Sequence, residues 1–249
     1  MNFLFCVHPT RAEAKRLHAE LTQLILSHGA FVTTDPRQAD YTVAIGGDGT
    51  VVSAYTLGGG PIIGVNAGTL GYLTRIEPTD AAVAIESVIE RAPLIEKRMT
   101  LNCVLPSGDT INALNEVALL KPDTGIIRFN VSVDGIELMR YTADGIIAAT
   151  PTGSTGYSLS AGGPIVDPTG EMLILTPVSP HTLVNRPIVL SHKSSVCLTT
   201  ENDALLAADG YSTPLPAGSK IQIQKAARYA EFVVFGKESF IGRLRKKLS

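Results

Sequence analysis

Between an apolar run, Tyr41 to Ile45, and a helix-like stretch from Val51 onward stands Gly46-Gly47-Asp48-Gly49-Thr50. The order strand, glycine turn, helix offers successive backbone N–H groups with a helix N-terminus behind them, a setting for anionic phosphate. Glycines at such a turn reach positive φ without penalty and let a ligand lie against bare backbone. A carboxylate among phosphate-binding amides is electrostatically unfavourable unless it acts on a hydroxyl proton or approaches a metal. Asp48 is therefore a candidate base that orients an attacking hydroxyl in phosphoryl transfer. The competing reading is a tight left-handed turn in which Asp48 caps the helix. Neither G-x-x-x-x-G-K-[ST] nor a strand-borne G-x-G-x-x-G occurs, so a dinucleotide would not bind in the Rossmann way. Without a Walker lysine, no cation is singled out for a γ-phosphate.

Two more sets of residues have chemical potential. Asn115-Glu116 interrupts the apolar run Ile111 to Leu120. Buried there, an amide and a carboxylate cost several kcal/mol unless hydrogen-bonded, about 2–7 per polar group. A ribose diol supplies the donors they would accept; an edge strand with both side chains in water is the alternative. The second set runs from Asp144-Gly145 through Thr150-Pro151-Thr152-Gly153-Ser154-Thr155-Gly156-Tyr157 to Ser160 and Gly162-Gly163-Pro164. A strand ends here in hydroxyls and glycines with one tyrosine and no cation. Neutral donors of this kind suit sugar, amide and phosphate oxygens, and Tyr157 could cover a ring. The same composition also fits a plain turn-rich loop.

The elements that must hold these residues follow from periodicity. Phe3 to Val7 reads as a strand, and Arg11 to His28 spaces Leu17, Leu21, Leu24 and Ile25 along one helical face that ends at Gly29. Phe31 to Thr33, Tyr41 to Ile45 and Ile62 to Val65 read as strands, with a short helix stopped at Gly58 to Gly60 and another over Asp80 to Glu90. This rhythm predicts an α/β domain with a parallel sheet over residues 1–95. From Thr100 the runs shorten and alternate, among them Leu101 to Leu105, Phe129 to Val133, Ile146 to Ala149, Val196 to Thr199 and Lys220 to Gln224. Asp134-Gly135 marks a hairpin. Residues 96–235 are therefore expected to form a β-rich domain.

Composition limits the partners. The 249 residues carry 21 basic and 23 acidic side chains, a net charge of −2, which lacks the basic stripe that nucleic acid attracts. With 45% hydrophobic and 18% charged residues the chain is expected to fold around a real core. Of 23 glycines, nine fall within residues 46–71 and six within 145–170, so the excess belongs to the two turns rather than to general flexibility. Cys6, Cys103 and Cys197 show neither disulfide nor zinc spacing and read as small buried hydrophobes. The apolar run at Phe3 to Val7 is too short for a signal h-region and no segment approaches 18 apolar residues. A soluble, cytoplasmic protein without membrane partners is the expectation. The basic stretch Arg243 to Lys247 reads as a solvated helix end.

Taken in order, G-G-D-G-T, N-E about 70 residues on and T-P-T-G-S-T-G-Y resemble the ATP-dependent NAD kinase family, which includes the inorganic polyphosphate/ATP-NAD kinases. Leu70-Gly71-Tyr72-Leu73-Thr74, Gly162-Gly163-Pro164-Ile165, Pro180-His181-Thr182-Leu183, Arg186-Pro187 and Asp209-Gly210 extend the resemblance over residues 41–211. It implies the two-domain NAD kinase-like fold, with the C-terminal segment 236–249 packed back on the first domain. It also implies transfer of the ATP γ-phosphoryl group to the 2′-hydroxyl of the adenosine ribose of NAD, giving NADP, with a divalent ion such as magnesium. Carried over by position, Asp48 is the base and Gly49 lines its pocket. Tyr72 lies near a ring, Asn115 and Glu116 hold the ribose and adenine end, and Asp144, Thr152, Thr155, Gly156, Tyr157 and Ser160 make the remaining nucleotide contacts. No residue is assigned as a metal ligand. Family members are dimers or tetramers, so a homodimer or homotetramer is implied, with groups borrowed from a neighbouring subunit. Departures are Ser53 where a basic residue or histidine is common, Gly156 for alanine and Tyr211 for glutamine. Diacylglycerol and sphingosine kinases share G-G-D-G-T, so a lipid kinase is one alternative; a non-enzymatic NAD-binding regulator, which has no need of Asp48, is another.

Overall fold

A computed structural model of the chain describes residues 1–68, 71–181, 185–236 and 239–248. Leu70, Thr182 and Leu183, which the sequence motifs include, lie outside the described residues, as does the side chain of Lys247 in the basic tail. The chain divides into two compact units, Met1–Lys97 with Ala230–Ser249, and Arg98–Tyr229.

The first unit opens with β1 (Asn2–Val7), α1 (Ala12–Ser27), β2 (Phe31–Thr33), β3 (Tyr41–Gly46), α2 (Asp48–Leu57), β4 (Ile62–Asn66), α3 (Ala81–Glu90) and β5 (Leu94–Arg98). β1 pairs in parallel with β2 and β3, and β3 pairs in parallel with β4. The three-to-four-residue spacing read from sequence buries Leu17, Leu21 and Ile25 of α1 with Ile85 and Val88 of α3 against Val43, Ile45, Ile63 and Val65 of the sheet. Each such side chain contributes about 1.5–3 kcal/mol by leaving water. Successive strand residues point to opposite faces. Accordingly α2 covers the other side, where the Cys6 thiol donates to the Thr50 carbonyl at 3.5 Å and Gly64 approaches Val51. Helices on both faces leave little water for a parallel sheet, and β3 and β4 are almost wholly buried.

The second unit contains β6 (Leu101–Val104), β7 (Thr110–Ala113), β8 (Glu116–Leu120), β9 (Ile127–Val133), β10 (Ile136–Ala143), β11 (Gly145–Ala149), α4 (Tyr157–Ser160), β12 (Met172–Val178), β13 (Ile188–Ser191), β14 (Val196–Thr200), β15 (Ala204–Ala208), β16 (Tyr211–Leu215) and β17 (Lys220–Lys225). They form two sheets in the orders β10-β9-β14-β17-β6-β7 and β13-β12-β11-β8-β15-β16. Alternating residues from both, including Leu101, Cys103, Phe129, Val131, Val117, Leu119, Leu173 and Leu206, make one core between them. Asp134 and Gly135, at φ 54° and 80°, turn β9 into β10 as the D-G signal requires. The chain then returns to the first unit as β18 (Ala230–Val234) and α5 (Phe240–Leu248), completing the sheet order β2-β1-β3-β4-β18-β5.

Three sequence readings are corrected: in the basic stretch Arg243 is buried rather than solvated, Cys6 and Cys197 are not fully buried, and the third concerns a strand. The run Ile111 to Leu120 is two strands, not one, because the ladder breaks at Leu114 and Asn115. β8 runs between β11 and β15 in the middle of its sheet, so the polar pair is not on an edge. Among the described residues no helix is long and apolar enough to cross a membrane. Cys103 is buried, which pushes its thiol up to about 12, while Cys6 and Cys197 are half-buried.

Candidate active site

In the first unit the glycine turn is the end of β3 and the first turn of α2. Gly47 is the N-cap, and its carbonyl accepts from Thr50 and Val51 at 2.9 and 3.3 Å. Those bonds use the Thr50 and Val51 amides, while the amides of Asp48 and Gly49 precede any intrahelical acceptor and stay available at this end. Asp48 does not cap its own helix. Its two carboxylate oxygens instead accept the backbone N–H groups of Tyr72 at 2.8 Å and Leu73 at 2.9 Å. Gly71 makes this possible, since a Cβ there would stand 2.0 Å from Asp48 Oδ1. A carboxylate offers about four lone-pair sites, and one N–H on each oxygen leaves capacity for a further donor. Tyr72 lies beside it, and burial first, then the Asp48 charge, raises the phenol above its ordinary value and keeps it neutral. Ser53 donates to the Gly49 carbonyl at 3.0 Å and adds no charge.

In the second unit, the loop that follows β11 folds over the outer face of its sheet, with Ala161 and Val166 packed on Ala118, Ile147, Ala149 and Ile174. Most of its hydroxyls hold the loop itself. Thr150 Oγ1 donates to the Leu114 carbonyl at 2.7 Å, Ser154 Oγ to the Pro151 carbonyl at 2.7 Å, and Thr155 Oγ1 to the Thr152 carbonyl at 3.3 Å. Ser158 and Thr176 share a bond at 2.9 Å. Among the described residues of this unit, Thr152 Oγ1 and Glu116 Oε2 are buried oxygens without a hydrogen-bond partner. They belong to the N-E and T-P-T-G-S-T-G-Y motifs, which the ladder brings together by pairing Glu116 with Ala149. Gly153 packs directly on Asn115, where a Cβ would meet the Asn115 carbonyl at 2.1 Å, and a Cβ on Gly156 would lie 3.2 Å from Glu116 Oε2. The alanine common at position 156 would thus press on this carboxylate. Tyr157 is 40% exposed, and Gly156 and Ser160 are exposed beside it.

Asp209 was not among the expected site residues, and it explains the broken ladder. Its carboxylate accepts the backbone N–H of Leu114 at 2.5 Å, of Asn115 at 3.0 Å and of Glu116 at 3.2 Å. Those amides therefore turn away from strand pairing, and Asn115-Glu116 is held at a kink. Burial, with the Asp209 charge adding to it, pushes the Glu116 carboxyl up to about 7. The D-G pair at 209 and 210 signals a turn, but nothing local reveals that it lands on residues 93 to 95 positions earlier. Asp144 is not brought to this place. It pairs with Lys121 at 2.9 Å beyond the opposite end of β8 and β11, about 16 Å from Glu116 at roughly 3.3 Å per residue. The His181 backbone N–H is tied to the Thr142 carbonyl at 2.8 Å.

A parallel α/β unit with a carboxylate clamped in G-G-D-G-T, joined to a β-rich unit whose hydroxyl-lined turn packs on N-E, defines a kinase. The chain belongs to the ATP-NAD kinase family: residues 28–92 match the ATP-NAD kinase N-terminal domain and residues 114–235 the C-terminal domain. It is 40% identical over 225 residues to the NAD kinase of Geotalea daltonii, covering 86% of this chain and 79% of that protein. The NAD kinase of Chlorobaculum tepidum is 33% identical over 273 residues, covering 100% of this chain and 96% of the relative. Among solved structures, an NAD kinase from Archaeoglobus fulgidus in complex with ATP matches with TM-score 0.84 and 30% identity over 98% of this chain and 99% of that one. Yeast NADH kinase complexed with NADH shares the fold, with TM-score 0.94 at 23% identity over 100% of this chain and 87% of that one.

Proposed function

We propose that the chain is an NAD kinase that transfers the γ-phosphoryl group of ATP to the 2′-hydroxyl of the adenosine ribose of NAD, with Asp48 as the general base. The observation that carries this reading is the Asp48 carboxylate itself, fixed by two backbone N–H bonds within the glycine turn yet retaining acceptor capacity on both oxygens. In the reaction the ribose oxygen forms a bond to the γ-phosphorus as the bond to the β,γ-bridging oxygen breaks. Asp48 takes the ribose proton and ADP leaves with the bridging oxygen. Gly49 and its neighbours supply amides toward phosphate, where fixed donors stabilise developing charge without reorganising.

Glu116 and Asn115 are assigned to the ribose and adenine end of NAD. A buried, unpartnered carboxylate oxygen fits a hydroxyl donor, because a hydroxyl removes the cost of leaving that oxygen unpaired. Thr152, Thr155, Gly156, Tyr157 and Ser160 are assigned to the rest of the nucleotide, with Tyr72 beside a ring. Asp144, far along the sheet, is assigned to the other end of a dinucleotide, within a homodimer or homotetramer whose neighbouring subunit contributes groups. Among the described residues no three His, Cys, Asp or Glu side chains are grouped to hold a metal. A divalent ion is assigned to the metal–ATP substrate, where it neutralises phosphate charge.

The test couples purified protein with NAD and magnesium ATP to an NADP-specific dehydrogenase, beside Asp48→Asn and a sphingosine control. Wild type is expected to make NADP. Asp48→Asn is expected to lose at least about 100-fold in kcat while still binding NAD, in line with general-base contributions of 10²–10⁴. No NADP across divalent metals and pH would sink the assignment; equal activity in the variant would sink the base role alone.

A further inference from the structure

We infer that Arg11 is the cation that receives the ATP phosphates, at the carboxyl edge of the parallel sheet; this rests on the kinase reading above and supplies the phosphate-binding charge that its motifs lack. Strand order is the first argument. β1 and β3 are neighbours in the order β2-β1-β3-β4, and from them the chain leaves in opposite directions, through α1 to β2 and through α2 to β4. α1 packs on the face formed by Val43 and Ile45, α2 on the face of Cys6 and Gly64. Where adjacent parallel strands send their connections to opposite faces, a crevice opens outside their carboxyl ends, and ligands of open α/β sheets bind there. Two loops flank this one. β3 ends in Gly46 and passes through Gly47 into Asp48-Gly49 at the start of α2, and after β1 comes His8-Pro9-Thr10-Arg11.

The second argument is the state of Arg11. Its Nη1 donates to the Ala67 carbonyl at 2.7 Å, and the Ala67 amide donates to the Gly46 carbonyl at 2.9 Å, so the guanidinium is two hydrogen bonds from the glycine turn. Gly68 is shaped for it, because a Cβ there would fall 1.4 Å from Nη1. The side chain is half-buried, yet no carboxylate among the described residues pairs with it. With one neutral carbonyl as its protein acceptor, the half-buried guanidinium keeps its other N–H donors and its charge toward solvent, open to an anion. A triphosphate provides both acceptors and charge in the fork geometry that guanidinium matches. Asp48 faces the same turn, and a cation there also offsets its repulsion of phosphate.

Steady-state kinetics with ATP and NAD varied in turn tests this, together with calorimetric titration of ATP and adenosine. Arg11→Met keeps the stem and removes the charge. KM and Kd for ATP are expected to rise about 10- to 100-fold, as for loss of a charge-assisted hydrogen bond. KM for NAD and the affinity for adenosine, which has no phosphate, are expected to stay within about twofold. Arg11→Lys, which keeps charge without the fork, is expected to recover part of the loss. An unchanged KM for ATP in Arg11→Met would overturn the inference, and so would equal rises for ATP and NAD, which would mark Arg11 as only a brace for Ala67. Failure of wild type to phosphorylate NAD would instead remove the kinase reading itself.

Discussion

Glu116 carries a burial cost in the folded chain that the proposed NAD contact would offset. Its carboxyl is raised to about 7 by burial and by Asp209, from 4.5 in its ordinary state. Between those values the folded chain holds a proton that the unfolded chain has released. Stability therefore falls as pH rises from about 4.5 to 7 and is level above. Glu116→Gln removes that ionisation, so chemical denaturation above pH 7 is expected to show a variant more stable by about 3 kcal/mol. The same substitution removes the anionic acceptor assigned to the ribose, so its affinity for NAD is expected to drop at least tenfold. For wild type, NAD affinity measured by titration calorimetry should be level above pH 7 and decline about tenfold per unit below it, as the carboxylate is protonated. A stable variant that binds NAD as well as wild type would disconnect Glu116 from the ribose.

At the scale of elements, each proposed functional segment is backed by a glycine that allows another segment to touch it. Gly71 lies against Asp48 and Gly153 against Asn115. Neither needs a left-handed backbone; both need the missing side chain. Gly71→Ala would put a methyl where Asp48 Oδ1 stands, and the two N–H bonds from Tyr72 and Leu73 would no longer hold the carboxylate in place. A displacement near 1 Å costs about 100-fold in rate, so kcat should fall by that order. The melting temperature should fall only modestly, since the clash meets a half-buried side chain at a helix start rather than a core strand. A fall in kcat no larger than threefold would show that the carboxylate does not require this placement. Asp209 acts likewise on the kink at Asn115, from a hairpin between β15 and β16 whose backbone is left-handed at both turn residues.

For the whole molecule, the second unit is one continuous segment and the first is not. β18 enters the first sheet between β4 and β5 and buries Phe232 and Val233 to 2% and 3% exposure. Residues 98–229 expressed alone should fold, seen as β-type circular dichroism with a cooperative melt. Residues 1–97 alone should not, because β4 is left as an open apolar edge without its neighbour. A cooperative melt from residues 1–97 would contradict this account of the sheet.

Read locally, the chain already determined its two textures, its helix faces, its hairpin at Asp134-Gly135 and both glycine windows. Those features depend on neighbours a few residues apart, where periodicity and turn chemistry act. G-G-D-G-T, N-E and the hydroxyl run also sufficed to point to the family. Tertiary structure decided what those residues do once folded. It turned Asp48 from a possible cap into a clamped carboxylate and assigned most loop hydroxyls to the loop itself. It also broke the strand at Asn115, placed Asp144 at the far end of its sheet and set Arg11 on a backbone carbonyl, with no acid beside it among the described residues. Each outcome rests on contacts across tens of residues, such as Asp48 with Tyr72 or Asp209 with Asn115, whose register only the packed sheets set.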